Sequence, residues 1–383
     1  MIQFTAMLAD AYRELNSKKL FWVTLVLSGL FVAVYGSIGF DPSGLSMLYG
    51  AWHIESEFIN SETRWSRALY LGIFSDFVVN LWLAWIAIIL ALISTTTIFP
   101  DFMAGGAIDL MLSKPIGRLR LFAFKYITGL LFVLLQMLVF CTGVFLCVGV
   151  RLGEWNWLIF AAVPMVTLVF SYLFAFNTLV AVVTRSALAA LLLTLLFWFG
   201  LWTIQTAEGS LFQFRLLAQV EAEEAQQRVD TWNQSLAALD AASTPADDPR
   251  RATLTASRDQ EQAALDDARR IESRLIAWHT PIRWVLNTLP KTQETTGLVS
   301  RWLKDKDGYS ILAMLRGDMT MGTGDAGRGS GSGFGNRRQE AEVSRRMEAA
   351  LDARSPWMIV GSSVAFEVVL LLLAAWVFCR RDY

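Results

Sequence analysis

Six uninterrupted apolar runs dominate this chain, and each is about as long as the hydrocarbon core of a lipid bilayer is thick. They are roughly Leu20–Ile38, Val78–Phe99, Tyr126–Val150, Trp157–Val183, Ala187–Thr206 and Trp357–Phe378. A core about 30 Å thick takes about 20 such residues at a rise of 1.5 Å each. Backbone groups find no water there, so every run has to satisfy its own hydrogen bonds, as a helix does. Hydrophobic residues make up 54% of the chain and charged residues 17%, against about a quarter charged in a soluble domain. The expected fold is an all-α polytopic membrane protein. Residues 20–206 carry transmembrane helices 1–5, and 356–383 carry helix 6 with a short tail.

Short links set the order of neighbours. Arg151–Asn156 joins the third and fourth runs, and Thr184, Arg185 and Ser186 join the fourth and fifth, so these pairs are antiparallel. Pro164 is tolerable within a membrane helix, where neighbours satisfy the freed carbonyl. With the N-terminus inside, the cytoplasmic loops hold ten cations, namely Arg13, Lys18, Lys19, Lys114, Arg118, Arg120, Lys125, Arg185, Arg380 and Arg381. The opposite side holds three, Arg64, Arg67 and Arg151. That bias predicts both termini on the cytoplasmic side. Residues 1–19 place Phe4, Met7, Leu8, Ala11, Tyr12 and Leu15 at helical spacing. They read as an amphipathic interfacial helix on the cytoplasmic face, or as an extension of the first span.

The sizeable cytoplasmic loop spans residues 100–125. It combines a Gly105-Gly106 break, an apolar patch (Ile108, Leu110, Met111, Leu112), then Ser113-Lys114-Pro115-Ile116-Gly117-Arg118. Proline disfavours helix at the residue before it, so the patch reads as a short helix ending near Lys114. Two roles suit it: a knob for a groove on a cytoplasmic partner, or a basic loop meeting anionic lipid.

This segment resembles the loop between the second and third spans of type-2 ABC transporter permeases. The likeness lies in Leu112-Ser113-Lys114-Pro115-Ile116-Gly117-Arg118, continuing to Lys125-Tyr126, together with the six-run layout and the terminal Arg380-Arg381-Asp382-Tyr383. It covers about residues 1–206 and 356–383. Two departures stand out: the acidic residue often found early in the loop has only Asp101 and Asp109 as candidates, and many members lack a long outer insertion. The resemblance implies a membrane subunit of an ABC exporter in the cell inner (plasma) membrane. It would pair with a second copy or a paralogue. Ile108, Leu110, Met111, Leu112, Lys114, Pro115 and Arg118 would form the coupling element docking a cytoplasmic ABC ATPase. ATP and Mg would then be bound by that ATPase and not by this chain. The chain itself has no G-x-x-x-x-G-K-[ST] motif, so no ATPase is expected within it, and with no catalytic constellation in the sequence it reads as a non-enzyme.

Residues 207–355 are polar and are expected outside the cytoplasm. Within them, Phe212–Ala242 and Arg251–Trp278 are free of internal glycine and proline and flank the turn-forming stretch from Ser243 to Pro249. They read as an antiparallel helical hairpin (residues 212–278) with a seam of Trp232, Leu236, Leu239, Leu265, Ile271 (or Glu272) and Leu275. An extracytoplasmic protein could dock there. Residues 281–303 read as short interfacial helices at the outer membrane surface, and 317–336 as a Gly-rich linker. Helical periodicity resumes through Val343, Met347 and Leu351.

Chemistry-bearing residues are sparse. The two histidines, His53 and His279, lie in different outer segments, and His279 beside Trp278 reads as a packing residue. Net charge is -1, which argues against a nucleic-acid partner and leaves lipid and protein. Inside the runs, Glu367, Gln136 and Asn177 stand out, because a buried polar or charged group in lipid faces a partner or a cavity. Glu367 could line a path or take a proton; equally it could hydrogen-bond a neighbouring helix. Three function classes follow: an exporter subunit, a mechanotransmitter moving an outer partner through the hairpin, and a membrane scaffold that transports nothing.

Overall fold

A computed structural model describes residues 19–41, 44–55, 70, 74–104, 117–153, 155–242, 245, 248–303 and 337–380. The expected N-terminal helix (apart from Lys19), the coupling residues Ile108–Pro115 and the Gly-rich linker lie outside these residues. Six helices are long and apolar enough to cross a membrane: Lys19–Gly36, Leu81–Met103, Arg118–Arg151, Trp157–Thr184, Ala187–Ala241 and Pro356–Arg380. Each contains one of the six apolar runs or most of one.

In chain order, α1 is Lys19–Gly36. Next, α2 (Phe74–Ile86) winds as a π-helix and runs on into α3 (Ala87–Thr95) and α4 (Ile98–Met103). Then come α5 (Arg118–Leu152), α6 (Ala162–Thr184), α7 (Ala187–Ala241) and α8 (Pro249–Thr288). Last are α9 (Thr292–Leu303), α10 (Arg337–Asp352) and α11 (Pro356–Arg380). Local chemistry explains the boundaries. Gly153 ends α5 in the left-handed region at φ 71°, where glycine has no steric penalty. The Asn156 side chain accepts from Leu158 N and opens the turn into α6. Ser186 Oγ accepts from Ala189 N at the start of α7. Asp248 caps α8 through Arg250 N, with Pro249 in the first turn, the position where a missing N–H is harmless.

Two compact units emerge. The first lies within residues 1–201, 290–324 and 359–383, the second within 202–289 and 325–358. In the first, α1 and α5 run parallel: Phe21 meets Phe132 edge-on at 5.1 Å, Val32 packs on Gly143, and Arg151 donates to Gly36 O at 3.0 Å. Helix α11 runs antiparallel to α5, since Arg118 donates to Cys379 O at 3.2 Å. Thr96, just after α3, donates to Ala187 O at 3.2 Å. The start of α5, the end of α11 and the start of α7 therefore share one end of this unit, and the C-termini of α1 and α5 share the other. Aromatic rings fill the space between, with Phe99, Phe132, Phe170, Phe174 and Phe378 fully buried.

Gly129 shows how tight this packing is. A Cβ there would lie 2.5 Å from Phe174 Cε1, and that ring is itself held by Tyr126 and Phe170. Overpacking of a filled core costs about 1–3 kcal/mol. Gly129→Leu is expected to lower the thermal midpoint of the detergent-solubilised protein. Gly200→Ala, where a Cβ meets nothing within 4 Å, is expected to leave it unchanged.

In the second unit α7 and α8 run antiparallel, pairing Gln219 with Glu272, Gln226 with Arg269, Arg228 with Glu261 and Asp240 with Arg251. Small residues set the approach: Ala222, Ala225, Leu265 and Ala268 form one buried cluster. Helix α10 adds Val343 to a second cluster with Leu216 and Val220.

Three expectations need correcting. The fold is not purely helical, because β1 (Gly39–Asp41), β2 (Gly44–Met47) and β3 (Trp52–Glu55) form an antiparallel sheet. Gly44, at φ 150°, adopts a conformation suited to glycine. Pro281 does not begin a new element; it sits inside α8. Residues 292–303 form a single helix, α9, seated against the first unit. Leu298 and Val299 are buried, and α9 packs on α2, α6 and the Trp157–Ala161 turn in the first unit. Finally, Ile271 is 51% exposed; Glu272 takes the inward position, and Leu265 is the one seam residue that is fully buried, with Trp232, Leu236, Leu239 and Leu275 half-buried.

Candidate functional site

Of the polar residues singled out within the apolar helices, Glu367 anchors the richest cluster. It lies on the inner face of α11, 8% exposed. Tyr126 Oη approaches Glu367 Oε1 at 2.7 Å, and Ser171 Oγ approaches Oε2 at 2.9 Å. Each hydroxyl also has a backbone acceptor within reach, Ser171 O at 3.0 Å for Tyr126 and Leu168 O at 2.8 Å for Ser171. Three helices, α5, α6 and α11, thus converge on one carboxyl group. A carboxylate in an apolar interior is costly unless its oxygens are bonded, and here both are.

Polar groups continue along α11 from this point. Ser363 lies one turn before Glu367 on the same face and is fully buried. It accepts from Lys291 N at 3.0 Å and donates to Ile359 O at 2.9 Å. Lys291 leads into α9, whose Thr292 and Thr295 are buried as well. Tyr172, next to Ser171 and fully buried, faces Glu367, Thr295 and Ser363.

The other intramembrane candidates differ in kind. Asn177 Nδ2 donates to Thr96 Oγ1 at 3.1 Å and to Thr194 Oγ1 at 3.2 Å. It staples α6 to α7 and to the turn after α3, an arrangement that suits packing. Gln136 is 1% exposed, and neither end of its amide has a partner among the described residues. Of the coupling residues, only Arg118 is described, and it anchors the first turn of α5 to the end of α11.

The second unit holds a polar group that the sequence did not reveal. His279 is buried as a packing residue, its ring 6.0 Å from that of Phe212. It also sits 3.2 Å from Glu208 Oε1, and Arg354 reaches the same oxygen at 3.5 Å. Nearby, Arg346 forms a two-pronged bond to Glu223 at 2.9 and 2.7 Å. That hydrogen bonding from the guanidinium holds the Glu223 carboxyl below the usual carboxylate range. No signal in the sequence pointed to these pairs, whose members lie 71, 146 and 123 residues apart.

Tyr126 and Ser171 were likewise missed as partners of Glu367. A hydroxyl in an apolar run is ordinary, and 241 residues separate Tyr126 from the acid. Among the described residues no three His, Cys, Asp or Glu side chains group as a metal site would need. The cluster at Glu367 is suited to holding a carboxyl group among apolar helices. Comparison with protein-family models, with curated proteins and with solved structures gives no match to this chain.

Proposed function

We propose that this chain is the membrane-spanning permease subunit of a type-2 ABC exporter, paired with a second copy or paralogue and driven by a separate cytoplasmic ATPase. The observation that supports this most is the gathering of cations at one end of the first unit. Arg118 opens α5, Arg185 sits between α6 and α7, and Arg380 closes α11, its guanidinium 4.4 Å from the Trp376 ring. Only Arg151 lies at the other end among the basic residues counted for orientation and described here. The segment resembling the coupling loop lies between α4 and α5 in the sequence, and α5 starts at that basic end. In this reading that end and both termini are cytoplasmic, the membrane is the cell's inner one, and residues 212–278, the later part of α7 and most of α8, form an extracytoplasmic hairpin.

Sidedness is the direct test. In intact cells Ala246→Cys is expected to react with an impermeant thiol reagent and Gly117→Cys to stay unlabelled. The reverse pattern inverts the orientation and removes ATPase docking at the loop. A second reading, mechanotransmission, draws on the polar cross-links between α7 and α8. These brace the pair along its length, as a lever acting on an outer partner requires.

A further inference from the structure

We infer that Glu367 is a proton-exchange site, with Tyr126 and Ser171 as hydroxyl switches that satisfy it in both protonation states. The inference is independent of whether the chain serves an ATPase.

The argument is a count of hydrogens. A tyrosine or serine hydroxyl carries one hydrogen to donate, yet each hydroxyl here has two acceptors within reach. When Glu367 is ionised, Tyr126 donates to Oε1 and Ser171 to Oε2, and both carboxylate oxygens are bonded. When Glu367 takes a proton from water, its new O–H donates to one of the two hydroxyl oxygens. Tyr126 then turns to Ser171 O, and Ser171 turns to Leu168 O. No donor is left without an acceptor in either state, and the change needs only two hydroxyl rotations. The step moves one proton between water and a carboxylate oxygen and breaks no other bond. Asn177 offers the contrast. Its two donated bonds go to two threonine hydroxyls, and no titratable group is part of that staple.

A site that exchanges protons also needs a way to water. The hydroxyl of Tyr172 supplies a separate observation. It is buried beside Glu367, Thr295 and Ser363. A buried hydroxyl among polar neighbours is where a bridging water is held. From there Ser363, Thr295 and Thr292 extend the polar row to Lys291. Among the described residues the titratable groups facing Glu367 are Tyr126 on α5 and Tyr172 on α6, with Lys291 at the far end of the row. From α7 the neighbour of α11 is apolar, Phe197 against Phe366.

Infrared difference spectra of the full chain in lipid nanodiscs, recorded in steps from acid to alkaline pH, test this. The expected result is a protonated-carboxyl C=O band that disappears on raising the pH and is lost in Glu367→Gln. Tyr126→Phe is expected to move the midpoint of that change. A band that stays constant across the range, or a titrating band retained in Glu367→Gln, overturns the inference. If Glu367→Gln does not fold, the wild-type chain decides alone. Modification of Glu367 by a lipid-soluble carbodiimide, which attacks the protonated acid, is located by mass spectrometry. A yield falling with rising pH supports the site, and a yield indifferent to pH overturns it.

Discussion

Excision of residues 227–264 is expected to leave ATP hydrolysis by the assembled complex intact while abolishing cellular function and the binding of an outer partner. The boundaries follow from the pairing of α7 with α8. Gln226 faces Arg269, so a bridge from residue 226 to 265 joins nearly level positions. Packed helix axes lie about 8–10 Å apart, a gap that three or four Gly/Ser residues span at about 3.3–3.6 Å each. The cut removes the Arg228–Glu261 and Asp240–Arg251 pairs but keeps the Ala222, Ala225, Leu265 and Ala268 cluster and the Arg346–Glu223 bond. The remaining helices therefore retain their contacts. A long helical pair costs chain entropy to order, and this pair is cross-linked well beyond its alanine seam. Such bracing is pointless in a passive loop. Wild-type cellular function after the excision would leave the plain exporter reading standing and remove the lever.

The second large effect is expected at the coupling loop. Leu112→Asp should leave expression and insertion unchanged but stop the ATPase from co-purifying and from being stimulated. An apolar anchor contributes about 1.5–3 kcal/mol when buried in a partner groove, which is roughly ten- to hundredfold in affinity. The introduced carboxylate must in addition be desolvated without a partner, which deepens the loss. Arg118→Glu, by contrast, is a poorer probe. Arg118 bonds Cys379 O within the first unit, so the variant sets a carboxylate against a carbonyl and disturbs the helix end as well as any docking. Normal recruitment and stimulation with Leu112→Asp would reduce the loop to a lipid-facing connector.

Part of the candidate site was legible before any fold. Glu367 stood out because a carboxyl group inside an apolar run has a desolvation cost that needs an explanation. Its partners did not stand out, since serine and tyrosine are common in such helices and pack or donate according to what lies opposite. Ile271 and Glu272 illustrate the same limit at the α7–α8 contact. Both fitted the spacing, and the polar residue turned inward because Gln219 was there to donate to it.

Sequence alone determined how many apolar helices there are and where they lie, because bilayer thickness and unsatisfied backbone groups act on each run separately. It also determined the close links between neighbouring runs, which are too short to allow anything but antiparallel neighbours. Tertiary structure alone decided the rest. Pro281 continues a helix because one lost backbone bond does not outweigh contacts on both sides of it, where His279 and Leu286 are buried. Residues 292–303 pack among membrane-type helices because Thr292, Thr295, Leu298 and Val299 find a complementary face on α6 and α2, which their own periodicity cannot specify. Glu367 meets Tyr126 and Ser171 for the same reason. Long-range pairing depends on which faces meet, and no local pattern encodes it.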